Sequence, residues 1–459
     1  MKITQLIENV FKKYLPSPFT IAILLTLITF ALGVVFTKPE SSNLSMYSLE
    51  VLSFWEKGVW TNGLLVFAYQ MMLILVLGHV LVLSKPVSNL ILHVTKYCTN
   101  TATSAAIVSC TTMLVAFFNW GLGLIFGALL ARKVAEHAQS RNIPLNYPII
   151  GAAGYVGLMV WHGGISGSAP IKINETGHIK SIMKSVSSEK ALAQIPELID
   201  YSETVFSWWN LLIFLLVLIG VTFTFYFLGK KSKATLINLP EYNLNSEEKG
   251  KTQAEKLDSS KWLAYIFGLV ILIAFFYRYS NDILALKITP NLINFFMLGL
   301  GIILHGSFKK FTNAIGESIS DVSGILIQFP LYFGIMGIMK STGMVTLISD
   351  FFVSVSTATT LPLFTFFSAG LVNIFVPSGG GQWVVQGPIV VESALQLGVP
   401  LPKAIMAMAY GDQVTNMLQP FWALPLLGIT KLKAREILPY TLIAMLVGSA
   451  IYLLGLLIF

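Results

Sequence analysis

Two runs of small and hydrogen-bonding residues interrupt sequence that is otherwise strongly apolar. One is Trp161-His162-Gly163-Gly164-Ile165-Ser166-Gly167-Ser168-Ala169-Pro170. The other is Gly411-Asp412-Gln413-Val414-Thr415-Asn416-Met417-Leu418-Gln419-Pro420. Two further interruptions, Asn119-Trp120-Gly121-Leu122-Gly123 and Pro377-Ser378-Gly379-Gly380-Gly381-Gln382, have the same character. Residues of these types break helices, and a half-helix N-terminus presents free N–H groups with partial positive charge that attract anions. Hydroxyl and amide side chains add directed donors. Together they can hold a carboxylate without a buried arginine. The candidate ligands are Asn119, Trp120 and Gly121 at the first interruption, and His162, Gly163, Gly164, Ser166 and Ser168 at the second. In the other half of the chain they are Asn373, Ser378, Gly379, Gly380 and Gln382, then Thr415 and Asn416.

Asp412 is the one acidic residue that falls well inside an expected membrane crossing. A charge at the bilayer centre costs ~3 kcal/mol or more, which favours a functional reading: binding a coupling cation or exchanging a proton. The plainer reading puts it in water near a helix end. His162 can donate to a carboxylate or titrate during transport, or anchor at the interface beside Trp161. The serines read equally as small packing residues, and Trp120, Trp383 and Trp422 as packing or aromatic-belt residues.

The elements that must position these groups lie in a membrane. Of 459 residues, 55% are hydrophobic and 11% charged, and mean hydropathy is +0.73. Several apolar runs reach the ~20 residues that span a bilayer. The net charge of +8 comes from lysines between apolar runs, where it sets orientation; no nucleic-acid motif accompanies it. Cys98 and Cys110 form neither a metal-ligand pattern nor a disulfide framework. Lys12 and Lys13 before the first apolar run read as the flank of a retained signal-anchor helix.

The expected fold is an all-α integral membrane protein with about nine crossings, at 18–36, 62–83, 147–163, 205–228, 262–280, 290–305, 322–339, 404–425 and 437–459. Segments 103–131 and 360–397 are expected as re-entrant hairpins, because broken backbone at membrane depth survives only against protein or a watery cavity. A pair of ordinary helices joined by a polar turn is the alternative. A cytoplasmic N-terminus and periplasmic C-terminus place the larger share of the 30 Lys and Arg inside. Residues 171–204 then form an outer polar loop and 229–261 a cytoplasmic linker.

The two halves echo each other. Asn119 and Asn373, Tyr155 and Tyr410, and Pro170 and Pro425 recur at a near-constant offset, with Gln70 and Gln328 close to it. A first repeat over 1–228, the linker, a connecting helix at 262–280 and a second, inverted repeat over 281–459 make an inverted-topology transporter plan, with substrate at the repeat interface.

Phe118-Asn119-Trp120-Gly121-Leu122-Gly123-Leu124 resembles the bacterial short-chain fatty acid transporter family, of the acetoacetate and butyrate type. So do Val376-Pro377-Ser378-Gly379-Gly380-Gly381-Gln382-Trp383-Val384-Val385-Gln386-Gly387-Pro388 and Gln419-Pro420-Phe421-Trp422-Ala423-Leu424-Pro425. The resemblance runs end to end and implies a secondary transporter of small monocarboxylates in the bacterial inner membrane. The family pattern differs at three motif positions: it has histidine where this chain has Gln382, glycine at His162 and glutamate at Asp412. The partners expected are a small carboxylate, the lipid bilayer and possible further copies of the chain. No cofactor is expected, and H+ or Na+ is the coupling ion. A dicarboxylate carrier and an anion channel are the nearest alternatives. An intramembrane aspartyl protease lacks its second aspartate, and the chain has no His-Glu-x-x-His zinc motif.

Overall fold

The computed structural model describes residues 7, 9–11, 13–183, 195–239, 252–284 and 288–459. Among them the chain is built of helices, with one isolated bridge between Leu145 and Thr235. In the first half these are α1 (Pro18–Thr37), α2 (Leu44–Val59), α3 (Asn62–Leu83), α4 (Lys85–Thr95), α5 (Thr101–Phe118), α6 (Trp120–Ser140), α7 (Tyr147–Ala153), α8 (Ser168–Ile173), α9 (His178–Met183) and α10 (Trp208–Lys231). Then come α11 (Gln253–Asp258), α12 (Lys261–Leu284), α13 (Pro290–His305), α14 (Phe308–Ser318), α15 (Ser323–Ser341) and α16 (Met344–Ser354). The chain ends with α17 (Leu361–Phe375), α18 (Gly379–Leu397), α19 (Leu401–Thr415), α20 (Pro420–Thr430) and α21 (Ala434–Ile458).

Among the described residues seven helices, α1, α3, α5, α10, α12, α15 and α21, are long and apolar enough to cross a bilayer. In α1, α10 and α12 only 22% of the most apolar window is buried, against 56% in α3 and α15. Leu27, Val35, Phe223, Ile273 and Tyr277 are among the exposed side chains of the first group. Apolar faces of this extent suit lipid tails and not water. The protein is therefore an all-helical, multi-pass membrane protein.

Both segments expected as hairpins are pairs of helices joined by a short turn. The first is longer than 103–131, with α5 and α6 running antiparallel from Thr101 to Ser140 and turning on Asn119 alone. The second, α17 and α18, turns on residues 376–378. Each tip is capped by its own side chain. Asn119 Oδ1 accepts from Leu122 N at 3.0 Å, and Ser378 Oγ accepts from Gly381 N at 3.2 Å. These bonds satisfy donors of the first helical turn that have no partner within the helix.

The crossing expected at 147–163 is not a continuous helix. Helix α7 ends at Ala153, a 3₁₀ turn covers Val156–Met159, and irregular chain runs to Gly167. Glycines at 151, 154, 157, 163, 164 and 167 weaken helix by up to ~1 kcal/mol each relative to alanine, so the break opens earlier than the Trp161 motif suggests. The crossing expected at 404–425 starts at Leu401 and breaks only at 416–419, leaving Gly411–Thr415 inside α19. Helices α2, α4, α14 and α16 lie in segments where no crossing is expected from composition. Both α4 and α14 are 11 residues long, too short to span.

The segment after the first break is not a free loop. Ile173, Ile179, Met183, Ile195 and Ile199 are buried in one cluster with Trp383, Val390 and Ala394 of α18. Trp383 Nε1–H donates to His178 Nε2 at 3.0 Å. Burial holds His178 below its ordinary value of 6.5, with Lys172 adding to the effect and Glu175 opposing it. The folded protein binds fewer protons here than the unfolded chain. The docking is therefore complete above about pH 6.5 and weakens as pH falls through the lower folded value. His178→Phe leaves the buried indole N–H without an acceptor, so thermal melts at pH 8 should show a loss of about 1–3 kcal/mol. His178→Gln, which keeps an acceptor, should recover part of it.

Candidate functional site

The two breaks face each other, and each satisfies the other's backbone. Gln413 Oε1, on α19, accepts from His162 N at 2.8 Å and Gly163 N at 2.9 Å. Asn416 Nδ2 donates to Leu158 O at 3.3 Å, and Tyr155 OH donates to Asn416 O at 2.8 Å and Gln419 O at 2.9 Å. Tyr452 OH, on α21, donates to Met159 O at 2.9 Å. Asn210 Nδ2, on α10, donates to Gly163 O at 3.0 Å, and its Oδ1 accepts from Tyr410 OH at 2.5 Å. Buried backbone needs partners, and the irregular stretch gets them from side chains distant in sequence.

Asp412 and His162 join across this interface. Asp412 is 1% exposed and His162 0%; Asp412 Oδ2 is hydrogen-bonded to His162 Nδ1. His162 Nε2 accepts from Ala169 N at 3.0 Å. The reading of Asp412 as a water-exposed helix-end residue is excluded by its burial.

The hairpin tips meet the breaks as well. At the first, Trp120 N donates to Ser166 Oγ at 2.9 Å, and the Trp120 ring lies 6.0 Å from Trp161 and 5.2 Å from Trp422. At the second, Gly379 approaches so closely that an added Cβ would lie 2.7 Å from Trp161 Cη2, 2.8 Å from His162 Cε1 and 3.1 Å from Asp412 Oδ2. A Cβ on Gly380 would stand 3.8 Å from Ser168 Oγ. Trp161 is thus touched by both tips. The second hairpin is also tied to α19: Asn373 Nδ2 donates to Asp412 O at 2.9 Å, Thr415 Oγ1 at 3.0 Å and Asn416 Oδ1 at 2.8 Å.

The candidate residues therefore divide. Asn119 is spent on structure, since its Oδ1 caps α6 and its Nδ2 donates to Ile288 O at 3.1 Å. The Ser166 and Ser378 hydroxyls accept from tip N–H groups. Gly121 and Gly164 pack, with the ideal Cβ of Gly164 only 2.3 Å from Phe117 O. Gln382 Nε2 donates to Ala369 O at 2.9 Å and Gln386 Oε1 at 2.6 Å. Among the described residues, Trp161 Nε1, Asn373 Oδ1, Gln382 Oε1 and Asp412 Oδ1 are buried without a hydrogen-bond partner. Buried polar atoms are normally satisfied, so each such exception is a candidate contact for a ligand or ion.

Trp161, Asn210, Tyr410 and Gln413 were not among the candidates. Asn210, an amide within an apolar run, and Gln413, next to Asp412, carried an intramembrane-polarity signal. Trp161 carried none beyond its neighbour His162. A cleft of about 400 Å³ lies at the N-terminal ends of α10 and α19, lined by Trp208, Trp209, Lys403 and Phe459 among others; no candidate ligand lines it. Among the described residues no group of three or more His, Cys, Asp or Glu is placed to hold a metal ion.

The profile of the short chain fatty acid transporter family matches residues 1–459. An Escherichia coli (strain K12) protein provisionally named a short-chain fatty acid transporter is 36% identical, over 100% of this chain and 99% of its own. A Haemophilus influenzae protein of the same name is 34% identical over 99% of each chain. Two solved structures align at a TM-score of 0.41. One is Neisseria gonorrhoeae MtrF, described in terms of antimetabolite efflux pumps, with 16% identity over 98% of this chain and 97% of its own. The other is the Alcanivorax borkumensis YdaH transporter, with 13% identity over 96% and 98%. Likenesses at that score carry no argument about this chain. The sequence matches are of another order and extend over essentially the whole chain: the chain belongs to the short-chain fatty acid transporter family.

Proposed function

We propose that the chain is a cation-coupled carrier of small monocarboxylates such as acetoacetate or butyrate across the bacterial inner membrane, with its N-terminus in the cytoplasm. One observation carries the site: the second tip meets the first break, the ideal Cβ of Gly379 lying 2.7 Å from Trp161 Cη2 and 3.1 Å from Asp412 Oδ2, where Trp161 Nε1 and Asp412 Oδ1 have no partner among the described residues. A carboxylate seated at the N-terminus of α18 accepts from Trp161 Nε1–H and the free N–H groups of Gly379 and Gly380. Asp412 is the coupling residue.

Alternation of access is proposed to come from an inverted repeat. Long helix, short helix, hairpin and broken helix follow one another from Asn62 and again from Ser323. The packing is reciprocal, with α6 of the first hairpin against α20 and α18 of the second against α8. Each hairpin is thus in contact with the other half's broken helix, which suits two elements moving against one another about a shared site.

The test is uptake of labelled acetoacetate and butyrate into proteoliposomes, corrected for leak into protein-free vesicles, under separate proton and sodium gradients. Saturable accumulation against a concentration gradient, competed by other short monocarboxylates, is expected. Equilibration without accumulation indicates a channel, and preference for a dicarboxylate overturns the substrate class.

A further inference from the structure

We propose that Asp412 Oδ1 is a proton-binding site, and that a carboxylate can settle at the N-terminus of α18 only while that proton is bound. The inference rests on the carboxylate site described above and adds which cation is coupled, at which atom, and why.

The geometry fixes the protons of the pair. His162 Nε2 accepts from Ala169 N–H at 3.0 Å, so it carries no hydrogen and the ring is not an imidazolium. The ring proton sits on Nδ1 and is donated to Asp412 Oδ2. In this arrangement the pair bears one negative charge, entirely buried.

Among the described residues no cationic side chain offsets that charge. Helix α17, packed against α19, has no ionisable side chain, and α18 has only Glu392, bonded to Gln396 at the surface. On α21, Tyr452 donates to the Met159 carbonyl, and Arg435 and Glu436 lie in its first turn, far along the helix. Tyr155, beside the 3₁₀ turn of the first break, donates to Asn416 O and Gln419 O. On α8, Lys172 is half-exposed and paired with Glu175. Within α19 itself, Tyr410 is bonded to Asn210, and Lys403 sits in the first turn. His162 is the titratable group in contact with Asp412, and it is already neutral. Oδ1, buried and without a partner among the described residues, is the open position for a second proton.

The location of that charge supplies the coupling. Asp412 Oδ2 lies 3.1 Å from the ideal Cβ position of Gly379, the first residue of α18. The unprotonated pair therefore places an internal carboxylate against the positive end of the helix, where a substrate carboxylate must come. Two carboxylates sharing one dry site repel, and neither can ionise freely beside the other. A proton on Oδ1 removes that charge and with it the repulsion of the incoming anion. One proton and one monocarboxylate then enter together, and the loaded site carries the same net charge as the empty one. Transport is electroneutral and follows the pH difference, not the membrane potential.

The experiment is acetoacetate binding to the purified full-length protein, by calorimetry from pH 5.5 to 8 in sodium-free, weakly buffered solution, with proton uptake followed by a pH dye. One proton should be taken up per acetoacetate bound, and affinity should fall ~tenfold per pH unit above the site's pKa. In Asp412→Asn, neutral at every pH, that dependence should vanish. Binding without proton uptake, binding that requires sodium, or an unchanged pH dependence in Asp412→Asn overturns the proton site and leaves the carboxylate site standing. Absence of binding at every pH, with and without sodium, removes the carboxylate site itself. Should Asp412→Asn fail to fold, the proton count on the unmodified protein decides.

Discussion

Gln413→Leu lowers the stability of the protein by about 2–6 kcal/mol. Gln413 is 1% exposed, and its one carbonyl oxygen accepts from two consecutive backbone groups, His162 N and Gly163 N. Leucine fills similar space but offers no acceptor. Two amide N–H groups are then left in a dry interior at about 1–3 kcal/mol each, and no water is at hand to replace the bond. A thermal melt in detergent reads the loss. Gln396→Leu, at an exposed position, serves as the control and should leave the melting point in place. An unchanged melt for Gln413→Leu would mean that the two breaks are not joined in this way.

The second large effect is on transport and not on folding. Gly379→Ala should reduce acetoacetate uptake about 100-fold, on the scale at which misplacing a positioned group by about 1 Å reduces enzyme rates. The added methyl meets ring atoms of Trp161 and His162 at 2.7 and 2.8 Å. Both rings are buried and stacked on one another with centroids 4.6 Å apart, so neither swings clear. The α18 N-terminus must retreat from Asp412. Overpacking of this kind costs about 1–3 kcal/mol, which a protein of this size withstands, so the variant should still assemble. Gly316→Ala, where a Cβ meets nothing within 4 Å, should transport normally. Normal uptake in Gly379→Ala would place the substrate elsewhere.

Much of the architecture was legible because bilayers impose strong rules. Twenty-residue apolar runs had to be helices, and Asn119 and Pro377–Gly381 had to break them. The extent of the first break was harder to read, because its glycines alternate with Ile, Val and Leu that mimic a span. Helix α2 was hidden by its mixed composition; what holds it is contact with α15, visible only in three dimensions. Asn119 and Asn373 occupy matching sequence positions yet do different things, one capping α6 and the other binding α19. The His162–Asp412 pair could not be read at all. The partners are 250 residues apart, and only the facing of the two breaks brings them together. Tyr155 and Tyr410, found as a repeated landmark, each hydrogen-bond a residue of the other half.

Transport as proposed depends on the second hairpin tip lying against the first break. An added Cβ on Gly380 stands 3.9 Å from Ser168 Cβ, within the range a disulfide bridges. With Cys98 and Cys110 replaced by serine, the pair Ser168→Cys and Gly380→Cys should cross-link on mild oxidation of membranes. Acetoacetate uptake should stop and return on reduction. Two reactive cysteines that never join, or a cross-linked protein that transports at the full rate, would contradict it.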